Sequence, residues 1–163
     1  MIAVVTGIRD MSRASGRIVE RAMADTLVRG VDEMRFGGAR GADTLALGAA
    51  FEWRQARGRI RPTLRVLVPG RLDEQPREAR ACIDRCADDV VELGLPLELG
   101  SSYMERNEAM LDGADHLIAF TDGRMRGGTA WTLQRAAELG LEVVVVLIRA
   151  ERAGARTAGA RPR

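Results

Sequence analysis

The sequence predicts an α/β protein, a sandwich in which helices cover both faces of a mostly parallel sheet. Two patterns carry that reading. Five short β-type runs appear, several of them nearly continuous in apolar residues, as strands buried on both faces are, and amphipathic helical stretches separate them. Alternation of this kind produces right-handed crossovers and layered packing.

Ile2 to Thr6 is the first expected strand. From Ser15 to Arg29, Val19, Ala22, Met23, Thr26 and Leu27 fall on one helical face. Glu33 to Phe36 follows as a strand, then a helix whose stripe is Ala42, Leu45, Ala46, Ala49 and Trp53. Thr63 to Val68 is the third strand. A third helix is expected over Arg77 to Leu93, with Ala79, Cys82, Ile83, Cys86 and Val90 as its apolar stripe. The two cysteines read there as small buried hydrophobes. Ser102 with Glu105 three residues on has the form of a capping box and opens a fourth helix. His116 to Thr121 and Glu142 to Ile148 complete the strands, with Leu133, Ala136, Ala137 and Gly140 marking the helix between them.

At 163 residues, one domain over residues 1–149 is expected. Residues 150–163 combine Ala, Gly, Arg and Pro without apolar periodicity and read as a disordered arginine-rich tail. All 25 basic residues are arginine, against 23 acidic residues. The absence of lysine excludes a P-loop lysine, Schiff-base chemistry and a lysine base. Residues 149–163 carry five arginines and Glu151, a net +4, so the remainder carries −2. No apolar stretch is long enough to span a bilayer, and no secretory pattern precedes Ile2, so a cytoplasmic protein without membrane contact is expected. His116 is the only histidine and has no evident partner, and two cysteines alone do not make a metal site. Neither metal nor cofactor is expected.

The chemical signal lies in three glycine-rich corners at strand ends: TGIRD at Thr6 to Asp10, GGARGAD at Gly37 to Asp43, and DGRMRGGT at Asp122 to Thr129. In a parallel sheet these corners share the carboxyl edge. Glycine there lets a ligand approach the backbone, and the following helix offers unpaired N–H groups to an anion. The first corner lacks GxGxxG, which disfavours ordinary dinucleotide chemistry. On the fourth helix Tyr103, Arg106, Asn107, Met110 and Leu111 share one side, so polar groups interrupt an apolar stripe. Arg106 and Asn107 either close a structural network or project into a pocket, where Arg106 offers a planar fork to phosphate.

TGIRD, FGGARGADTLA, YMERNEAM, ADHLIAFTDG and RGGTAWTLQRA together resemble the SLOG superfamily over most of residues 2–148. That Rossmann-like group includes the LONELY GUY phosphoribohydrolases, formerly labelled lysine decarboxylases, and the DNA-processing protein of natural transformation. The resemblance is nearest to small bacterial YspA/YpsA-related members. It implies a three-layer Rossmann-like α/β/α sandwich with five parallel strands ordered 3-2-1-4-5, and a homo-oligomer, most simply a dimer. Carried over by position, it places Gly7, Arg9, Gly37, Gly38, Gly41, Asp43, Arg106, Asn107, Gly127, Gly128 and Thr129 around the ligand. Asp122, at the head of the third corner, joins them.

The hydrolase signature PGGxGTxxE is not met: the matching stretch is MRGGTAWT, and the residue three beyond Thr129 is Thr132. Threonine supplies neither a carboxylate base nor charge for an oxocarbenium-like centre. Asp43, Asp122 or Glu105 would have to substitute, with Asp43 and Arg106 the catalytic candidates. Asp43 is equally explained as a helix-start residue facing the dipole. The expected function is therefore binding of a nucleotide or nucleotide-derived phosphorylated ligand, as a sensor or regulatory module read by a partner or by oligomerisation. Two alternatives stand beside it: a phosphoribohydrolase releasing free base from a nucleoside 5′-monophosphate, and single-stranded DNA binding. The latter is disfavoured by the near-neutral body and few aromatics. Trp131, near the start of the last helix, is open to three roles: covering a base, lining a subunit contact, or packing.

Overall fold

The computed structural model describes residues 1–11, 15–59, 61–124 and 126–148. Its strands are β1 (Ile2–Gly7), β2 (Glu33–Phe36), β3 (Thr63–Val68), β4 (Asp89–Glu92), β5 (His116–Thr121) and β6 (Glu142–Leu147). The helices are α1 (Ser15–Leu27), α2 (Ala42–Ala56), α3 (Arg77–Cys86), α4 (Gly100–Leu111) and α5 (Gly127–Glu138). The strands form one sheet in the order β4-β3-β2-β1-β5-β6, and every neighbouring pair is parallel.

The expectation of five strands ordered 3-2-1-4-5 is thus corrected to six. The additional strand, β4, lies outside β3 and comes from the segment read as the end of the third helix. That helix stops at Cys86 because Ala87 adopts an extended conformation (φ −78, ψ 140). Asp88 then accepts hydrogen bonds from Arg54 Nη2 at 3.0 Å and the Leu64 N–H at 2.8 Å, and also pairs with Arg54 Nη1. Held there, Val90 and Val91 enter register with Val66 and Leu67. A tertiary ion pair has overridden a helical pattern that nominally reached Val90.

Two smaller corrections concern helices. Ser102 lies inside α4, which begins at Gly100, and its buried hydroxyl donates to the Pro96 carbonyl at 2.7 Å instead of capping. The buried face of α2 runs through Ala42, Asp43, Ala46, Leu47, Ala50, Trp53 and Arg54, so Leu45 points outward.

Strand alternation divides the core in two. Ala3, Val5, Met34, Phe36, Ile118 and Phe120 pack under α1, α2 and α3 with Val19, Met23, Leu47 and Ile83. Val4, Leu117 and Ala119 face the opposite side, with Met110 and Leu111 of α4 and Leu133 and Ala136 of α5. Arg35 also points to that side, where its Nη1 donates to the Met110 and Asp112 carbonyls at 3.0 and 2.5 Å, placing a cation on the C-terminal end of α4. Helices change faces between β1 and β5, so the crevice of the sheet opens beyond the carboxyl ends of those two strands. No helix among the described residues is long and apolar enough to cross a membrane. The expected arginine-rich tail lies outside the described residues.

Candidate functional site

At that crevice lies a cavity of about 520 Å³. Its walls come from the β1–α1 corner, the start of α2, the first half of α4 and the β5–α5 corner. Of the residues selected from sequence, Gly7, Arg9, Asp43, Arg106, Asn107, Asp122, Gly127, Gly128 and Thr129 line it. Gly37, Gly38 and Gly41 do not.

Those three glycines shape the wall from behind. A side chain at Gly37 would collide with the Arg106 guanidinium and Asp43 Oδ2. Gly38 has φ +69 and faces Val66, Val68 and Ile83 in the core. Gly41, at φ +88, lies so close to the first corner that a Cβ would fall 2.5 Å from the Arg9 carbonyl oxygen and 2.6 Å from that of Ile8. The second corner therefore packs directly on the backbone of the first, and the Ala42 N–H donates to the Ile8 carbonyl at 3.0 Å.

Arg106 enters from α4 with only 7% of its surface exposed. Its Nη1 donates to the Gly37 carbonyl, and its Nε is buried without a hydrogen-bond partner. Asp43, 6% exposed, lies on the same side of Gly37 as Arg106, and its Oδ2 accepts the Ala39 N–H at 3.2 Å. Burial pushes the Asp43 carboxyl above its ordinary range, against the pull of Arg106 and of the Ala39 and Gly37 amides. Burial likewise lowers the Arg106 pKa, opposed by Asp43 and Tyr103. The cavity lining thus includes a desolvated cation.

Asn107 has a different task. Its Nδ2 donates to Thr132 Oγ1 at 2.9 Å, and that hydroxyl donates to the Gly128 carbonyl at 2.7 Å. This chain ties α4 to the first turn of α5. Thr132 is only 1% exposed, so the hydrolase-type position holds a buried structural hydroxyl. Asp122 accepts the Arg124 N–H at 2.9 Å, forming an Asx turn at the head of the third corner. Glu105 faces a groove away from the cavity. Trp131 is half-buried and is not part of the cavity lining.

α5 begins without a side-chain cap, and Gly127, Gly128 and Thr129 line the same cavity as Arg106. Such a first turn carries free N–H groups and the positive end of the helix dipole. Sequence reasoning missed Tyr103, Arg124 and Arg126 as lining residues. Tyr103 was legible as the residue one turn before Arg106, and the two arginines belong to the DGRMRGG corner itself. At the mouth, the Arg9 guanidinium sits 5.6 Å from the centre of the Tyr103 ring. Among the described residues, Arg9 and Arg126 form no ion pair within 4 Å, while Arg40 reaches Asp10 at 3.4 Å. No group of three metal-ligating side chains occurs among the described residues.

Sheet order and crevice together define a Rossmann-like α/β fold with a parallel sheet. No protein-family model matches the chain, and no curated protein does. Among solved structures, the chain is similar to DNA processing protein A from Helicobacter pylori, with a TM-score of 0.69 at 19% identity, covering 93% of this chain and 67% of that one. That structure was described for its single-stranded DNA binding mode. DNA processing protein A from Streptococcus pneumoniae gives 0.67 at 22% identity, over 96% of this chain and 51% of the other. The Moco carrier protein from Chlamydomonas reinhardtii gives 0.56 at 18% identity, over 89% and 75%. At these identities the likeness establishes the fold.

Proposed function

We propose that the carboxyl-edge cavity binds a phosphorylated, nucleotide-type ligand, and that the protein is a binding or sensing module. The observation that carries this reading is the buried Arg106 guanidinium in the cavity lining, whose Nε has no hydrogen-bond partner in the protein. A desolvated cation with an unused donor costs stability until an anion meets it. In the same cavity, the uncapped start of α5 supplies the backbone donors that suit phosphate. A volume of about 520 Å³ accommodates a mononucleotide-sized molecule, and the Tyr103 ring under Arg9 at the mouth provides a face for a base.

Hydrolysis is the weaker reading, because the position that would carry a catalytic glutamate holds Thr132, already committed to Asn107 and Gly128. Asp43 is the one buried carboxylate among the cavity's lining residues, and burial pushes its pKa above the ordinary range. Single-stranded DNA binding has its own support in the exposed Arg9, Arg40, Arg124 and Arg126 and in the fold shared with DNA processing protein A. In that reading the strand lies over the mouth and one nucleotide enters the cavity.

Thermal unfolding of the full chain with nucleoside mono-, di- and triphosphates, ADP-ribose and cyclic nucleotides tests the proposal. A ligand bound by the folded state alone raises the midpoint in a concentration-dependent way. The expected result is a rise with at least one phosphorylated nucleotide and none with the matching nucleoside. No response across the panel overturns it. Release of free base from AMP or CMP, abolished by Asp43→Asn, would replace it with the hydrolase reading.

A further inference from the structure

Residues 149–163 hold five arginines and one glutamate, and the point at which they leave the sheet is fixed. Ile148 is 5% exposed, donates its N–H to the Thr121 carbonyl at 2.7 Å, and packs in the same core as Val19 and Met23 of α1. The chain therefore departs at the carboxyl edge, on the side of α1, α2 and α3. Two hollows near that point offer no net negative charge to an arginine-rich segment. The ligand cavity has four arginines against three aspartates, and the groove between α1 and β6 has Arg17, Arg21 and Arg29 against Asp25.

A third groove, of about 700 Å³, runs across the outer surfaces of α1, α2 and α3 and has the opposite sign. Glu20, Glu52 and Glu78 line it, one from each helix, against Arg85. The three carboxylates are exposed, and none forms an ion pair within 4 Å among the described residues. Arg85 is engaged elsewhere, its Nε donating to Cys86 Sγ at 3.4 Å. Leu45, 37% exposed, and Ala49 add apolar surface between the acids.

We propose that this groove is the docking site of residues 156–163, so that the protein binds its own arginine-rich segment. The reach is sufficient. α2 packs on β1 and β3, which lie two and four strands from β6. That is roughly 10–20 Å across the sheet, with about 10 Å more out to the helix layer. At about 3.3 Å per extended residue, residues 149–155 span it. Arg156, Arg161 and Arg163 then arrive among three carboxylates, while Arg149 stays outside. The acidic groove of Glu105 and Asp112 belongs to α4 and α5, on the other face of the sheet. Exposed ion pairs are individually weak and screened by salt, but the tether holds the segment at a millimolar effective concentration. Contact therefore forms at low ionic strength and yields to salt, or to a polyanion competing for the same arginines. The groove shares no lining residue with the ligand cavity, so this inference stands independently of the ligand reading.

The absence of lysine makes the contact testable in the full chain. Arg156→Lys and Arg161→Lys, made separately, keep the charge and each introduce the sole side-chain amine. A carbodiimide joins an amine to a carboxylate it touches, and peptide mapping locates the amide. At low ionic strength both variants are expected to couple to Glu20, Glu52 or Glu78 within the monomer, at a yield independent of protein concentration. The yield should fall about fivefold or more in about 0.5 M sodium chloride. Arg149→Lys should not reach these carboxylates. Combining Glu20→Gln, Glu52→Gln and Glu78→Gln should abolish the coupling with unchanged circular dichroism. The Met1 amine, 2.8 Å from Asp32 Oδ2, couples in the same reaction and shows the reagent to be active. Absence of coupling from both positions overturns the proposal, as does coupling chiefly to Glu105 or Asp112. Links formed only between chains also overturn it, by placing the segment on a second copy.

Discussion

Arg106 and Asp43 set the character of the cavity because each is buried beside the other without a close ion pair. Arg106→Met removes the cation that offsets the Asp43 carboxylate, at an expected cost of about 2–4 kcal/mol. The double variant Arg106→Met with Asp43→Asn should recover part of that loss. Urea unfolding of the four proteins gives the coupling energy directly, and additivity within about 0.5 kcal/mol would show that the two groups do not interact. The pH dependence has a definite sign. The folded-state pKa of Asp43 is raised by burial, so its contribution is fully present below its unfolded value near 3.8 and is lost as pH rises through the folded value. Asp43→Asn should therefore show a flatter stability profile as pH rises above 4. Thr132→Val tests the neighbouring link: deleting the hydroxyl strands Asn107 Nδ2 in the interior, for an expected loss of about 1–2 kcal/mol.

Corners and strand ends respond to backbone constraints more than to charge. At Gly41 a Cβ meets two backbone carbonyl oxygens that cannot swing aside, and the residue sits at φ +88. Gly41→Ala should destabilise the fold by about 2 kcal/mol or more, through strain and displacement of the first corner. Gly30, at φ +86 but with no neighbour within 4 Å, should lose only the conformational part, so the pair separates crowding from dihedral strain. The start of β4 gives the opposite pH signature to Asp43. Burial raises the Asp88 pKa, but the Arg54 and Leu64 hydrogen bonds outweigh it and hold the carboxyl below the usual range. Stability from Asp88 is thus present above about pH 4 and lost as pH falls through the folded value. Asp88→Asn should cost about 1 kcal/mol at pH 7, a modest figure because the carboxylate is more than a third exposed. The difference from the parent should vanish near pH 2, as urea unfolding at the two pH values would show. This element also marks where sequence stops being informative. Strands β1, β3, β5 and β6 announce themselves by long apolar runs, whereas β4 offers two valines between acids, and what ends α3 is Arg54, distant in the chain. The cavity divides the same way. The glycine corners and Arg106 were legible because their composition is unusual for a strand end or a helix stripe. That Asn107 turns to Thr132, and that Gly38 faces the core, depends on neighbours that only the folded chain supplies.

For the whole molecule, the distribution of charge separates a nucleotide-binding cavity from a strand-binding surface. Residues 1–148 carry a net −2, while residues 149–163 carry +4. The folded body therefore has no net positive field to gather a polyanion, and attraction at long range comes from the arginines beyond Ile148. A mononucleotide in the cavity feels different forces: the buried Arg106, the uncapped turn of α5 and the rim arginines act at close range, where salt screens little. Removing residues 149–163 should accordingly leave the nucleotide-induced rise in unfolding midpoint unchanged. Any affinity for single-stranded oligonucleotides should fall, and its dependence on salt should flatten, because every phosphate left without its arginine reduces the slope of log K against log salt by about 0.7. Fluorescence anisotropy of a labelled oligonucleotide between low and moderate salt, set beside thermal unfolding of both chain lengths, reads the two effects separately. If the shortened chain kept both the oligonucleotide affinity and its steep salt slope, Arg9, Arg40, Arg124 and Arg126 would be gathering the strand themselves. The mouth of the cavity would then be a nucleic-acid interface.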